Sequence, residues 1–303
     1  MRDFGFLMPV DLGAKGSCHI GGNIATNAGG IKFIKYGSMH ANTLGVKGVL
    51  GSGLEVDEFS LGPSERYGRG LKHMLIGSEG TLGIVTECAI QCYPAPRERQ
   101  VCLLGMNDYQ SVVNCLEKAK KQFSDNLSAI EYMDYDSVWF SLNYLKQENP
   151  FGEEIYNYYI LLEVTSGEEG SLQDQIVEYL ENCEGNYEDG VIGENEQQIE
   201  KLWAIRETIS LGTGSYGFAV KFDVSLGSEY FADLVDQTQI LMGDKCKVIG
   251  HGHIGDGNLH LNCAFKGFEN RDQVMNYQKE IEPFVFSYIK GKRGSISAEH
   301  GVG

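Results

Sequence analysis

The feature that most constrains this chain is Pro94-Ala95-Pro96. Two prolines so close together forbid regular strand pairing or helix across them, so the chain must change element there. Residues 1–93 are rich in glycine and carry short β-like runs: TLGVKGVL, GTLGIVTECAIQCY and the small-residue stretch GGNIATNAGG. Residues 97–303 are written differently. VCLLGM, LSAIEYMD, YNYYILLEVTS and FAVKFDVSL read as strands. DYQSVVNCLEKAKKQF, with an Asp cap, SLQDQIVEYLENC, with Ser at its start, EQQIEKLWAIRETIS and SEYFADLVDQTQILM read as helices. This alternation predicts two domains of α+β class, the second an antiparallel sheet with helices packed on one face. The acidic run 181–196 reads as a solvated loop.

The formal charge of −17 argues against a nucleic-acid partner, because binding there requires Lys and Arg on phosphates. With 42% hydrophobic and 22% charged residues the composition is that of a soluble globular protein. Eight cysteines are scattered without a CxxC, which reads as reduced, mostly buried thiols of an intracellular protein rather than a disulfide framework. No apolar run approaches the ~20 residues that span a bilayer. The first residues lack a signal peptide's pattern, and SISAEHGVG stops inside a Gly-rich turn, so both ends read as cut.

Three motifs carry chemistry. Gly212-Thr-Gly-Ser-Tyr-Gly217 matches the dinucleotide fingerprint G-x-G-x-x-G. It follows a helix and precedes a strand, the reverse of what that fingerprint needs, and so reads as a loop. SCHIGGNIATNAGG, residues 17–30, holds four glycines. Such a stretch lets backbone approach a flat or phosphorylated ligand, or packs as a tight turn. The sharpest is KVIGHGHIGDGNLHLN. If Gly255-Asp-Gly-Asn258 closes a hairpin, His253 pairs with His260 and His251 with Asn262, all four on one face. Two histidines alone fit hydrogen-bonded core residues. Glu299 in SAEHGVG adds a third donor, and two His with one carboxylate is a usual open set for a catalytic divalent metal.

PVDLGAKGSCHIGGNIATNAGG, then KYGS, then LIGSEGTLGIVTE, together resemble the FAD domain of vanillyl-alcohol-oxidase type. The resemblance implies that Pro9, Leu12, Gly13, Ser17, Gly21, Gly22, Asn23, Thr26, Asn27, Gly29, Gly83, Ile84 and Val85 line FAD. It further implies that residues 1–93 are the second half of a two-part FAD-binding domain. GHGHIGDGNLHLN, SAEHGVG, LWAIRETIS and AVKFDVS are similar to the flavin-dependent dehydrogenases of D-2-hydroxyglutarate, D-lactate and glycolate. By that resemblance His253, His260 and Glu299 hold a divalent metal, zinc first among candidates, and His300 is the catalytic base. Arg206, Ser210, Lys221 and Asn262 bind substrate. His251 stands where the family often has an aromatic residue. The implied reaction is oxidation of D-2-hydroxyglutarate by hydride transfer to flavin, with D-lactate or glycolate as the alternative substrate. The implied acceptor is an electron-transferring flavoprotein or a quinone and the implied site mitochondrial, with homodimer formation left open. A metal hydrolase and an inactive fragment are the alternatives of other class.

The chemistry suits the parts. Hydride leaves a C–H bond readily once the neighbouring oxygen is negative, and a hydrogen bond of ~1–3 kcal/mol cannot achieve that at neutral pH. A divalent metal lowers the pKa of a bound water from about 15.7 to about 7, worth roughly 10 kcal/mol if an alcohol responds alike. Arg206 offers a planar fork for a carboxylate, and Ser210, one helical turn on, shares its face.

Overall fold

A computed structural model describes residues 1–59, 70–170, 172–268 and 270–302. The chain forms two compact units, residues 1–96 with 299–303, and residues 97–298. The last five residues, counted above with the second part, therefore cluster with the first.

In the first unit, β1 (Phe6–Leu7) pairs with β5 (Tyr93–Pro94), and the helices are short: α1 (Ile20–Ala25), α2 (Phe33–Tyr36), α3 (Met39–Asn42) and α4 (Lys72–Leu75). A three-stranded antiparallel sheet has β2 (Thr43–Leu50) between β3 (Glu55–Glu58) and β4 (Gly83–Ile90). Ile24, Ala28, Met39, Val46, Leu75 and Ile76 form its core. GGNIATNAGG was expected to be β-like, yet its first part is helix α1, because Ile24 drops into that core. Burial of one apolar side chain outweighed the low helix propensity of Gly21 and Gly22. The sheet needs glycine at 83, where a Cβ would lie 2.6 Å from the Val49 carbonyl oxygen.

The second unit is built on a seven-stranded antiparallel sheet of β6 (Glu98–Met106), β7 (Leu127–Asp134), β8 (Tyr158–Ser166), β9 (Asp189–Ile192), β10 (Phe218–Ser225), β11 (Lys247–Gly252) and β12 (Asn258–Phe265), in the order β10-β12-β11-β7-β8-β6-β9. Its helices are α5 (Tyr109–Gln122), α6 (Tyr135–Tyr144), α7 (Gln173–Asn182), α8 (Glu196–Glu207), α9 (Ile209–Tyr216), α10 (Phe231–Met242) and α11 (Arg271–Gly291). Asp108, Asp134, Asn195 and Asn270 cap α5, α6, α8 and α11, each side chain accepting from the amide three residues on. Helix α7 starts after Leu172 without a side-chain cap; Ser171, read as its start, lies outside the described residues.

Helices cover both faces of this sheet, not one. On the face of Ile130 and Tyr132, Tyr109 of α5 and Phe231 of α10 meet the Tyr132 ring at 5.8 Å each. On the opposite face, α8 sends Trp203 to Glu163 and Arg206 to Glu131. That is why every residue of β7 is buried, and why its sequence does not alternate. Two loop readings also change. Gly212–Gly217 is mostly helix α9, where Gly212 packs so tightly on α6 that a Cβ would lie 2.7 Å from the Phe140 carbonyl oxygen. The acidic run 181–196 contains edge strand β9, held to β6 by the pairs Leu103↔Val191 and Leu104↔Gly190. Its polar residues mark an edge rather than a loop. Among the described residues no helix is long and apolar enough to cross a membrane.

Candidate functional site

The histidine motif forms the expected hairpin, two residues out of the expected register. His251, not His253, opposes His260, and Ile249, not His251, opposes Asn262. The turn is wider because His253 leaves the ladder: its carbonyl accepts from the amides of Asp256 and Asn258. A shift of two keeps the same faces, so the histidines still converge. The His260 ring centre lies 5.3 Å from that of His251 and 5.1 Å from that of His253.

Two carboxylates missed in the sequence fix two of these rings. Glu131, fully buried at the middle of β7, stands 2.7 Å from Nδ1 of His253 through one oxygen. Through the other it accepts from Nε of Arg206 at 2.7 Å. Burial pushes the Glu131 carboxyl upward, but the charges of His253 and Arg206 outweigh it, so the group is held below its ordinary range. Asp223 of β10 opposes His260 in the ladder and lies 3.4 Å from its Nδ1, a looser arrangement. Asp223 also accepts from the Asn258 side chain at 2.7 Å, which ties the turn to β10. A carboxylate on Nδ1 fixes the tautomer and the orientation of the ring, the arrangement that metal-binding histidines use. His251 is neutral, its pKa pulled well down by burial and then by Arg206, and its Nδ1 is buried without a partner. This donor set suits a divalent cation bound by imidazole nitrogen.

Around these rings the predicted substrate residues divide. Lys221 and Asn262 are opposed in the ladder, two positions from Asp223 and His260 and on the same face. Lys221 is exposed and Asn262 buried. Arg206 and Ser210 do not share a helix face as expected. Helix α8 ends at Glu207, α9 begins at Ile209, and Arg206 is 8% exposed while Ser210 is open to solvent. Arg206 is thus first a partner of Glu131. The one hint of Glu131 in the sequence was a carboxylate inside the apolar run AIEYM.

The first unit holds its own candidate. An open groove of about 640 Å³ is lined by Gly21, Gly22 and Ala25 of α1, by Gly80, by Gly83, Ile84 and Val85 of β4, and by Cys18, His19 and Ile20. Ile84 is 71% exposed there. Glycine backbone facing an exposed apolar side chain fits a flat ring system such as a flavin. Amides of Gly77 and Glu79 donate to the Ile24 and Ala25 carbonyls, so LIGSEG closes the end of α1. Of the residues expected at FAD, five line this groove: Gly21, Gly22, Gly83, Ile84 and Val85. The others do not. Pro9 is buried, Leu12 packs on the core, and Gly13 and Ser17 lie in an exposed turn. Asn23 bonds Cys18, Thr26 bonds the Gly22 carbonyl, and Asn27, at φ 53°, accepts from the His40 amide.

Gly29 and Gly30 meet the end of the chain. Glu299 accepts from the Gly30 amide, and a Cβ on Gly29 would lie 3.3 Å from the same Glu299 oxygen. Val302 donates its amide to Glu79 at 2.9 Å. His300, largely exposed, has Nε2 3.7 Å from the other Glu299 oxygen. Residues 299–302 are therefore fastened to the glycine segments by the Val302 amide and by Glu299.

Residues 95–303 match the family "FAD linked oxidases, C-terminal domain", and residues 1–57 match "FAD binding domain". The chain is 41% identical over 302 residues to a probable mitochondrial D-2-hydroxyglutarate dehydrogenase of Oryza sativa subsp. indica, covering 99% of this chain and 53% of that protein. It is 38% identical to the Rattus norvegicus mitochondrial D-2-hydroxyglutarate dehydrogenase, covering 98% and 55%. It is 35% identical to a putative mitochondrial D-lactate dehydrogenase of Schizosaccharomyces pombe, covering 100% and 59%. The chain spans somewhat over half the length of these curated relatives. Among solved structures, an alkyldihydroxyacetonephosphate synthase shares the fold, with TM-score 0.70 at 14% identity over 97% of this chain and 57% of that one. On these matches and this fold, the chain belongs to the FAD linked oxidase family.

Proposed function

We propose that this chain is part of a FAD-dependent, metal-assisted dehydrogenase that oxidises D-2-hydroxyglutarate to 2-oxoglutarate. The observation that carries the metal half is the pair of histidines with a carboxylate on each Nδ1, Glu131 for His253 and Asp223 for His260. Two structural core histidines would not both need an orienting carboxylate on the same side. Glu299 completes the ligand set in this reading, which rests on the family resemblance. When bound, the cation would acidify the substrate hydroxyl and the flavin would take the hydride.

The chain's own residues then have defined tasks. Lys221 and Asn262 receive a substrate carboxylate beside Asp223 and His260, with Ser210 adding a hydroxyl. Arg206 neutralises Glu131 and supplies positive field toward the carboxylate, which favours an anionic substrate at a buried site. His300 takes the hydroxyl proton on its imidazole. The groove residues Gly21, Gly22, Gly83, Ile84 and Val85 carry the flavin, with Pro9, Leu12, Gly13, Ser17, Asn23, Thr26, Asn27 and Gly29 shaping the segment. A flavoprotein or quinone acceptor and a mitochondrial location belong to the same reading.

The test is reduction of an acceptor dye by protein loaded with FAD and zinc, with D-2-hydroxyglutarate, D-lactate and glycolate in parallel, and zinc measured by elemental analysis. D-2-hydroxyglutarate should be turned over fastest, and His260→Ala should lose both zinc and turnover. Preference for D-lactate moves the reading to the alternative that the Schizosaccharomyces relative's name suggests. Full zinc retention in His253→Ala and His260→Ala alike rules out the metal site.

A further inference from the structure

A second, smaller pocket of about 220 Å³ lies in the second unit, away from the histidines. It is lined by Tyr132 and Asp134 from the end of β7, Tyr135 and Asp136 from α6, Tyr158 from β8 and Asp236 from α10. Tyr132 faces the side of the sheet opposite Glu131, so this pocket and the histidine cluster do not share a wall through β7. We propose that this pocket binds a small primary alkylammonium ion, held by the Tyr132 hydroxyl, the Tyr158 ring and the Asp236 carboxylate.

The first observation is Tyr132 itself. Its side chain is fully buried, and its hydroxyl has no hydrogen-bond partner. A buried phenol left unpaired is unfavourable, and a ligand N–H donated to its oxygen would offset part of that cost. The groups that act on it electrostatically include Asp134, Tyr158 and Asp236, all of which line the pocket. Burial, then Asp134, holds the phenol far above its ordinary pKa, so it stays protonated and neutral.

The second observation is the charge. Asp136 is paired with Lys247 at 2.5 Å, and Asp134 spends its oxygens on the amides of Ser137 and Gly250. Asp236 remains at the exposed rim, its carboxyl raised by burial and then by Asp233 on the same helix. A cation would relieve that repulsion. The third is the rings. Tyr132 and Tyr158 stack with centres 6.2 Å apart and 29° between planes. Aromatic faces beside a carboxylate attract organic ammonium groups, whereas a hard metal ion asks for six or more oxygens. The volume lies below the ~300–1,000 Å³ of pockets for drug-sized ligands, which limits the guest to a short chain.

The inference is independent of the proposed reaction. The test titrates n-butylammonium, with n-butanol as the neutral counterpart, into isotope-labelled protein and follows amide shifts. Binding should saturate, map to these residues, and go uncompeted by n-butanol. Tyr132→Phe and Asp236→Asn should each weaken it by about fivefold, the size of one hydrogen bond, while Glu178→Gln, which removes an exposed charge on α7, leaves it unchanged. Unsaturable shifts, equal competition by n-butanol, displacement by calcium at lower concentration, or equal weakening by Glu178→Gln would each overturn the proposal. Asp236→Asn decides the matter even if Tyr132→Phe fails to fold, because Asp236 is exposed.

Discussion

Glu131 and Asp134 lie three residues apart on one strand, on opposite faces of one sheet, and both are buried. Their chemistry runs in opposite directions. Glu131 meets Arg206 and His253 and is held low; Asp134 meets only uncharged donors and Asp136, and burial drives its carboxyl up to about 7. The two faces of the sheet repeat the contrast. Around Ile130, Leu162 and Cys102 the sheet is apolar and covered by α5, α7 and α10. Around Glu131, Glu163, Asp223 and the histidines it is charged and largely buried, with Glu163 paired to Arg99, Glu131 to Arg206 and His253, and Asp223 beside His260. Burial by itself therefore does not separate a core from a site. What separates them is which polar groups are buried there and how they are paired.

The strongest way to break this comparison is Glu131→Ala. It strands a guanidinium and an imidazole in the interior, and the loss should be about 3–5 kcal/mol in the unfolding free energy measured by urea titration, with zinc affinity lost as well. Stability unchanged within error would mean that Arg206 and His253 find other partners. The next effect is pH. Asp134 binds its proton up to about 7 when folded but only to about 3.9 when unfolded. Its contribution is therefore complete below about pH 4 and is lost as pH rises toward 7, a swing of up to roughly 4 kcal/mol. The carboxyl carbon of Asp134 should titrate near 7 by NMR, and the matching slope of stability should vanish in Asp134→Asn. A midpoint near 4 would show that its amide donors outweigh burial. The smallest is Leu162→Ala on the apolar face, about 3 kcal/mol from lost contacts and cavity. It should leave zinc affinity untouched, and a drop in zinc binding would show the two faces to be coupled.

Much of this was legible in the chain. Pro94 and Pro96 marked where the style of folding changes, since a missing N–H is a local fact. Asp108 announced the start of α5 because a cap needs only its own next turn. The hairpin was legible as a hairpin, and even a register error of two left His251 and His260 on one face, because the strand period is two. The glycines of GGNIATNAGG could be read as close-approach backbone or as a tight turn, though not as helix α1, and LIGSEG was legible only through the family resemblance.

What the sequence determined alone is what acts over one turn or one strand period: caps, breaks and alternation. The tertiary structure decided the rest. It chose Glu131, 122 residues from His253 along the chain, to orient that ring, and it turned Arg206 inward to the same carboxylate. It also covered both faces of the sheet, which erased the alternation that would have revealed Glu131 as special. Electrostatic pairing in a buried site depends on distance in space, and no local pattern records which carboxylate will be near.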